Sequence, residues 1–121
     1  MTQFPRRGEV WTVRLDPAVG SELQKTRLAL ILQNDLGNEF SPTTIVAPLT
    51  RAGERLYPFL VLVKPPEGGV IKPSVANLAQ IRVVDKQRLT QCLGELTEDT
   101  MREVDRAICT SLRIAQSPPK D

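Results

Sequence analysis

Apolar and polar residues follow two different periods along this chain. From Glu9 to Leu15 they alternate at the period of two that marks a strand. The alternation is imperfect, because Trp11, Val13 and Leu15 share one face and Val10 lies alone on the other. Pro17 and Gly20 break the pattern, which predicts a loop of about ten residues around Asp16–Glu22, longer than the usual connection. Arg27 to Gln33 is a continuous apolar run of strand length, the pattern of a strand buried on both faces. Asn34–Asn38 is a turn cluster that Ser41-Pro42 extends, and Thr43–Leu49 is a third strand with Pro48 near its end. Tyr57–Lys64 predicts a fourth strand and Val75–Val84 one more, with Leu89–Leu93 a short last one. Pro65–Gly69 is a turn, too short to divide domains. Five or six short strands with no helix between most of them predict a small antiparallel barrel.

The period changes near the end. Met101, Val104, Ala107, Ile108, Ser111, Leu112 and Ala115 recur at three- and four-residue spacing, which predicts an amphipathic helix covering the barrel. Thr97 stands at its N-cap, and Glu98 and Asp99 suit the positive end of its dipole. The expected organisation is one domain over 1–121, with the barrel at about 8–94, the helix at about 97–116 and a short polar tail at 117–121.

Composition narrows the chemistry. The 121 residues include no histidine, which removes the commonest metal ligand and the commonest acid–base group together. Cys92 and Cys109 cannot build a zinc site, and the acidic residues do not cluster as carboxylate ligands would, so no metal and no cofactor are expected. Cys92 reads as a small core residue. No apolar run is long enough to span a membrane and Met1–Arg7 is no secretion signal, so a cytoplasmic protein with reduced thiols is expected. Charge is uneven: Val61–Gly94 holds five basic and two acidic residues, and Glu95–Asp121 four basic and six acidic. A basic middle permits nucleic-acid binding without demanding it.

No phosphate loop, dinucleotide fingerprint or Ser-His-Asp set is present. The remaining polar groups are Gly20-Ser21-Glu22, Lys25-Thr26-Arg27, Pro48-Leu49-Thr50-Arg51 and Gln80-Ile81-Arg82. Singly, Arg27 reads as a solvated strand start and Thr50 as a turn residue. Together with Arg7-Gly8-Glu9-Val10-Trp11, Leu15-Asp16-Pro17, Gln33-Asn34-Asp35, Ser41-Pro42-Thr43 and Asp85-Lys86 with Arg88-Leu89, they form an ordered set of short blocks from Arg7 to about Leu112. In that order the blocks resemble the MazF/PemK-type endoribonuclease toxins of bacterial toxin–antitoxin pairs. The resemblance implies a mainly β fold, a small SH3-like antiparallel β-barrel with helices, forming a homodimer with RNA in a groove. It implies a catalytic arginine at Arg27 and a catalytic hydroxyl at Thr50. RNA contacts are expected at Ser21, Glu22, Lys25, Gln80 and Arg82. The family usually has proline after the arginine where this chain has Leu28, and a proline would confine the residue before it to extended conformations.

The implied substrate is single-stranded RNA, cut with no metal and no ribosome. The 2′-hydroxyl is a built-in nucleophile, and its attack leaves a 2′,3′-cyclic phosphate and a 5′-hydroxyl. A fixed guanidinium gives forked donors to the phosphorane oxygens. Two other readings share the fold: a CcdB-like toxin that poisons gyrase without catalysis, and an RNA-binding barrel without turnover. The family also implies a cognate antitoxin with a flexible acidic segment. Its expected receptors are the basic residues Lys64, Lys72, Arg82, Lys86 and Arg88 and the apolar loop residues Ala18 and Val19.

Overall fold

The computed structural model describes residues 4–14 and 26–115. Within them, β1 (Glu9–Arg14), β2 (Thr26–Ile31), β3 (Thr43–Arg51), β4 (Leu60–Val63), β5 (Ser74–Asn77), β6 (Arg82–Asp85) and β7 (Leu89–Glu95) build one sheet. Two helices accompany them, α1 (Asp35–Phe40) and α2 (Glu98–Leu112). Every pairing is antiparallel, along the path β4-β5-β3-β2-β1-β7. The antiparallel, mainly β architecture with a C-terminal helix is therefore the one expected, but the sheet does not close into a barrel. β3 is nine residues long and serves two strands on one side. Its second half pairs with β5, Leu49 opposite Ala76, and its first half with β6, Val46 opposite Arg82.

That division corrects the single strand expected over Val75–Val84. The Asn77 side chain accepts from the Ala79 N–H at 3.0 Å, and the Gln80 N–H donates to the Asn77 carbonyl at 3.2 Å. This asparagine-centred turn separates two four-residue strands. The turn cluster at Asn34–Asn38 is instead the start of α1, where Asn34 Oδ1 accepts from the Gly37 N–H at 2.8 Å. The fourth strand begins at Leu60 rather than Tyr57. Helix α2 stops at Leu112, short of the expected 116, because Arg113 turns left-handed at φ 56° and its N–H caps the carbonyls of Cys109 and Thr110.

The sheet buries apolar side chains on both faces. Val10, Leu30, Ala47, Leu49, Val61, Val63 and Ala76 meet Val104 and Ala107 of α2 on one face. Val13, Ala29, Ile31, Val46 and Val84 pack on the other, flanked by Trp11 and Leu89. β2 contributes to both, Leu30 to the first and Ala29 and Ile31 to the second, as its unbroken apolar run requires.

The turn between β4 and β5 replaces barrel closure. Gly68 and Gly69 have φ of 65° and 77°, and a side chain on Gly69 would stand 2.3 Å from the Leu93 carbonyl oxygen. Only glycine lets this backbone lie directly against β7. From the same turn, Glu67 Oε2 accepts from the Thr97 N–H at 2.9 Å, fastening the start of α2. Arg7 performs a similar service at the other end, donating to the Leu32 carbonyl at 2.9 Å and pairing with Asp105 of α2.

Candidate active site

The second face, opposite α2, holds the candidate site residues. Arg27 stands opposite Val13 across the β1–β2 ladder. Leu28 stands opposite Leu49 across the β2–β3 ladder, so Arg27 and Thr50 occupy the next pair of positions. Side chains placed this way share a face with their Cβ atoms about 5 Å apart. Two residues 23 apart in sequence thereby become neighbours. Leu28 sits between Thr12 and Leu49, paired on both sides. This double pairing keeps the backbone at Arg27 extended with Leu28, not a proline, after it.

A groove of about 420 Å³ opens over this face. Its floor includes the buried Val13, Ala29, Val46 and Val84. Arg27, Thr50, Gln80 and Arg82 all line it, and all four are exposed. Arg82 arrives from β6, and Gln80 from the asparagine-centred turn. Arg14 and Arg88 complete the rim, the latter from a short 3₁₀ turn, Lys86–Arg88, that the Asp85 side chain caps by accepting from the Gln87 N–H at 2.8 Å. Among the described residues the groove gathers four guanidiniums and no carboxylate. It presents apolar surface for a flat ring and fixed positive charge for a phosphate.

The structure thus brings together Arg27, Thr50, Gln80 and Arg82. Ser21, Glu22 and Lys25, with Ala18 and Val19, lie outside the described residues. Arg14 was not a sequence candidate. It meets Arg88 at the groove because β1 pairs with β7, Val13 opposite Leu89, and no local pattern carries that information. Two of the five expected basic receptors, Arg82 and Arg88, line the groove, while Lys64 and Lys72 do not. Lys86 is engaged elsewhere: its ammonium donates to the Asn38 carbonyl at 2.6 Å and lies 5.4 Å from the centre of the Phe4 ring. Asn38 is fully buried and accepts from Thr44 Oγ1 at 2.6 Å, so Lys86 braces α1 against β3 and β6.

Cys92 is exposed on β7, a correction to its expected place in the core. Partial burial of the thiol, and then the nearby Glu9 carboxylate, push its pKa above the ordinary value. A thiol held protonated in this way is a poor nucleophile.

The chain is similar to known proteins over most of its length. Residues 6–112 match the family described as PemK-like, MazF-like toxin of type II toxin-antitoxin system. The chain is 42% identical over 110 residues to Endoribonuclease EndoA of Bacillus subtilis, covering 90% of this chain and 95% of that one. A mycobacterial endoribonuclease solved in complex with its cognate antitoxin superimposes with a TM-score of 0.75 at 26% identity, over 93% of this chain and 99% of that chain. The fold is also that of a MazE–MazF structure from Deinococcus radiodurans, with a TM-score of 0.80 at 23% identity over 94% and 100% of the two chains. On the breadth of the family match and the identity to the Bacillus protein, this chain belongs to the PemK-like, MazF-like toxins of type II toxin–antitoxin systems.

Proposed function

We propose that this protein, an endoribonuclease toxin of the MazF/PemK type, cuts single-stranded RNA by attack of a 2′-hydroxyl on the adjacent phosphorus. The observation that carries the reading is the Arg27–Thr50 pair at one position of a groove lined, among the described residues, by four arginines and no carboxylate. In the step, the 2′-oxygen bonds to phosphorus and the bond from phosphorus to the 5′-oxygen breaks. The products are a 2′,3′-cyclic phosphate and a 5′-hydroxyl. Charge builds on the phosphorane oxygens, where the Arg27 guanidinium supplies forked donors. The same group gives a proton to the departing 5′-oxygen, and Thr50 holds the phosphate in line. A guanidinium carries its full set of protons and has no lone pair free for the 2′-proton, so that proton passes to solvent water, and solvent returns a proton to the guanidine after the 5′-oxygen has left.

Among the described residues no three Cys, Asp or Glu side chains gather as a metal-binding group, and the reading gives the phosphate's charge to arginine instead. Gln80 and Arg82 hold the RNA beside the scissile phosphate, with Ser21, Glu22 and Lys25 completing the contacts. The whole chain, 1–121, acts as one domain and pairs as a homodimer. A cognate antitoxin with a flexible acidic segment covers the groove. No helix among the described residues is long and apolar enough to cross a membrane, and the reading places the toxin in the cytoplasm, with its RNA.

The test uses an RNA oligonucleotide with one cleavage site and a copy carrying a single 2′-deoxy sugar on the 5′ side of that bond. The RNA is cut and the substituted copy is bound without being cut. Equal cleavage of both would overturn attack by the 2′-oxygen.

A further inference from the structure

The segment between β3 and β4 carries an aromatic pair that the groove does not use. The rings of Tyr57 and Phe59 stack with centroids 5.4 Å apart and planes 1° from parallel. Tyr57 is 48% exposed, while Phe59 behind it is half-buried. The tyrosine ring is thus backed on one face and wet over much of the rest. The exposed cations Arg51 and Arg55 lie in the same stretch of chain.

Its place in the fold ties the pair to the groove. The Leu78 N–H donates to the Phe59 carbonyl at 2.9 Å, and the Leu60 N–H to the Tyr57 carbonyl at 2.8 Å. Leu78 belongs to the turn that delivers Gln80 to the groove. The backbone that carries the aromatic pair is therefore fastened to that turn, two residues before Gln80.

We propose that Tyr57, backed by Phe59, is a stacking platform for one unpaired base of the RNA, a nucleotide that has left the groove past Gln80. The inference rests on the reading of the groove as an RNA site. An aromatic face accepts any base, so the platform adds affinity and sets the minimum substrate length without specifying sequence. Arg51 and Arg55 meet the phosphates of the same exposed stretch.

The experiment compares Tyr57→Ala and Tyr57→Phe with the wild-type protein on two RNAs sharing one cleavage site. One extends several nucleotides to each side of the site, and the other is cut back to the nucleotides within the groove. On the long RNA, Tyr57→Ala raises KM by about tenfold with kcat unchanged, and Tyr57→Phe restores the wild-type value. On the short RNA all three proteins behave alike. Tyr57 is the chain's single tyrosine, so fluorotyrosine reports from one position, and its signal shifts on binding an uncleavable long RNA. Equal effects of Tyr57→Ala on both RNAs would overturn the platform, as would a fluorine signal that follows protein concentration and ignores RNA. If the wild-type protein cuts neither RNA, the reading of the groove fails instead.

Discussion

At the scale of single residues, the proposed reading gives Arg27 and Thr50 separable roles. Arg27→Ala lowers cleavage by about 10²–10³, the usual loss when a fixed donor to a charged transition state is removed. The exposed side chain contributes nothing to either core, so the melting temperature stays within a few degrees of wild type. Arg27→Lys keeps the charge and loses the fork, and recovers little rate. A lysine variant at wild-type rate would contradict the bidentate role. Thr50→Val keeps the shape and removes the hydroxyl, and single-turnover kinetics should show a slower chemical step with RNA affinity preserved. Parallel loss of affinity and rate would make Thr50 a ground-state contact only. Cys92 titrates above an ordinary thiol because burial and Glu9 disfavour its thiolate, so its alkylation in a Cys109→Ser background lags a model thiol until the pH rises well into the alkaline range. Cys92→Ser leaves cleavage unchanged. Arg27 and Thr50 could be named from the sequence only through the family's ordered blocks, since an arginine at a strand start and a threonine at a strand end are ordinary alone. Their adjacency depends on the β2–β3 register, which single residues do not encode.

Among the elements, those written in one clear period were legible and those written in punctuation were not. β1, β2, β3 and α2 follow directly from alternation, an unbroken apolar run and three–four spacing. The split of Val75–Val84 was hidden because Leu78 and Ile81 keep the run apolar through the turn, and only the Asn77 side chain marks it. Helix α1 is six residues long, less than two full turns, so no period could announce it. Seven strands are enough for a closed barrel, but the contact that seals the β4 side to β7 is a glycine turn, not a ladder. That contact gives a stability prediction. Gly69→Ala places a methyl group where the Leu93 carbonyl already stands, at a φ of 77° that an L-residue resists. Backbone strain and overpacking together cost about 2–4 kcal/mol, read by urea denaturation. Gly53→Ala, whose Cβ meets nothing within 4 Å, is the control and shifts the midpoint little.

For the whole molecule, position outweighs net charge. The chain carries only +2, yet four arginines converge on one groove while Lys86 is spent on bracing α1. RNA affinity should therefore fall steeply with salt, and each groove arginine replaced by alanine should lower the slope of log K against log [salt] by about 0.7. An acidic antitoxin segment would meet the same field, which salt screens over ~8–10 Å. Raising salt then slows the association of toxin and antitoxin while dissociation changes little. Stopped-flow binding checks this, and a ternary complex with uncleaved RNA in the groove would contradict a shared site. The central claim, that the arginine-lined groove cuts RNA through its own 2′-hydroxyl, is tested most directly by end-group analysis. Purified protein is incubated with a long single-stranded RNA in EDTA, beside Arg27→Ala. The wild-type protein should yield fragments ending in 2′,3′-cyclic phosphate and beginning with 5′-hydroxyl, and the variant should yield almost none. Fragments with 5′-phosphate ends, cleavage that appears only when a divalent metal is restored, or an undiminished rate in the variant would contradict it.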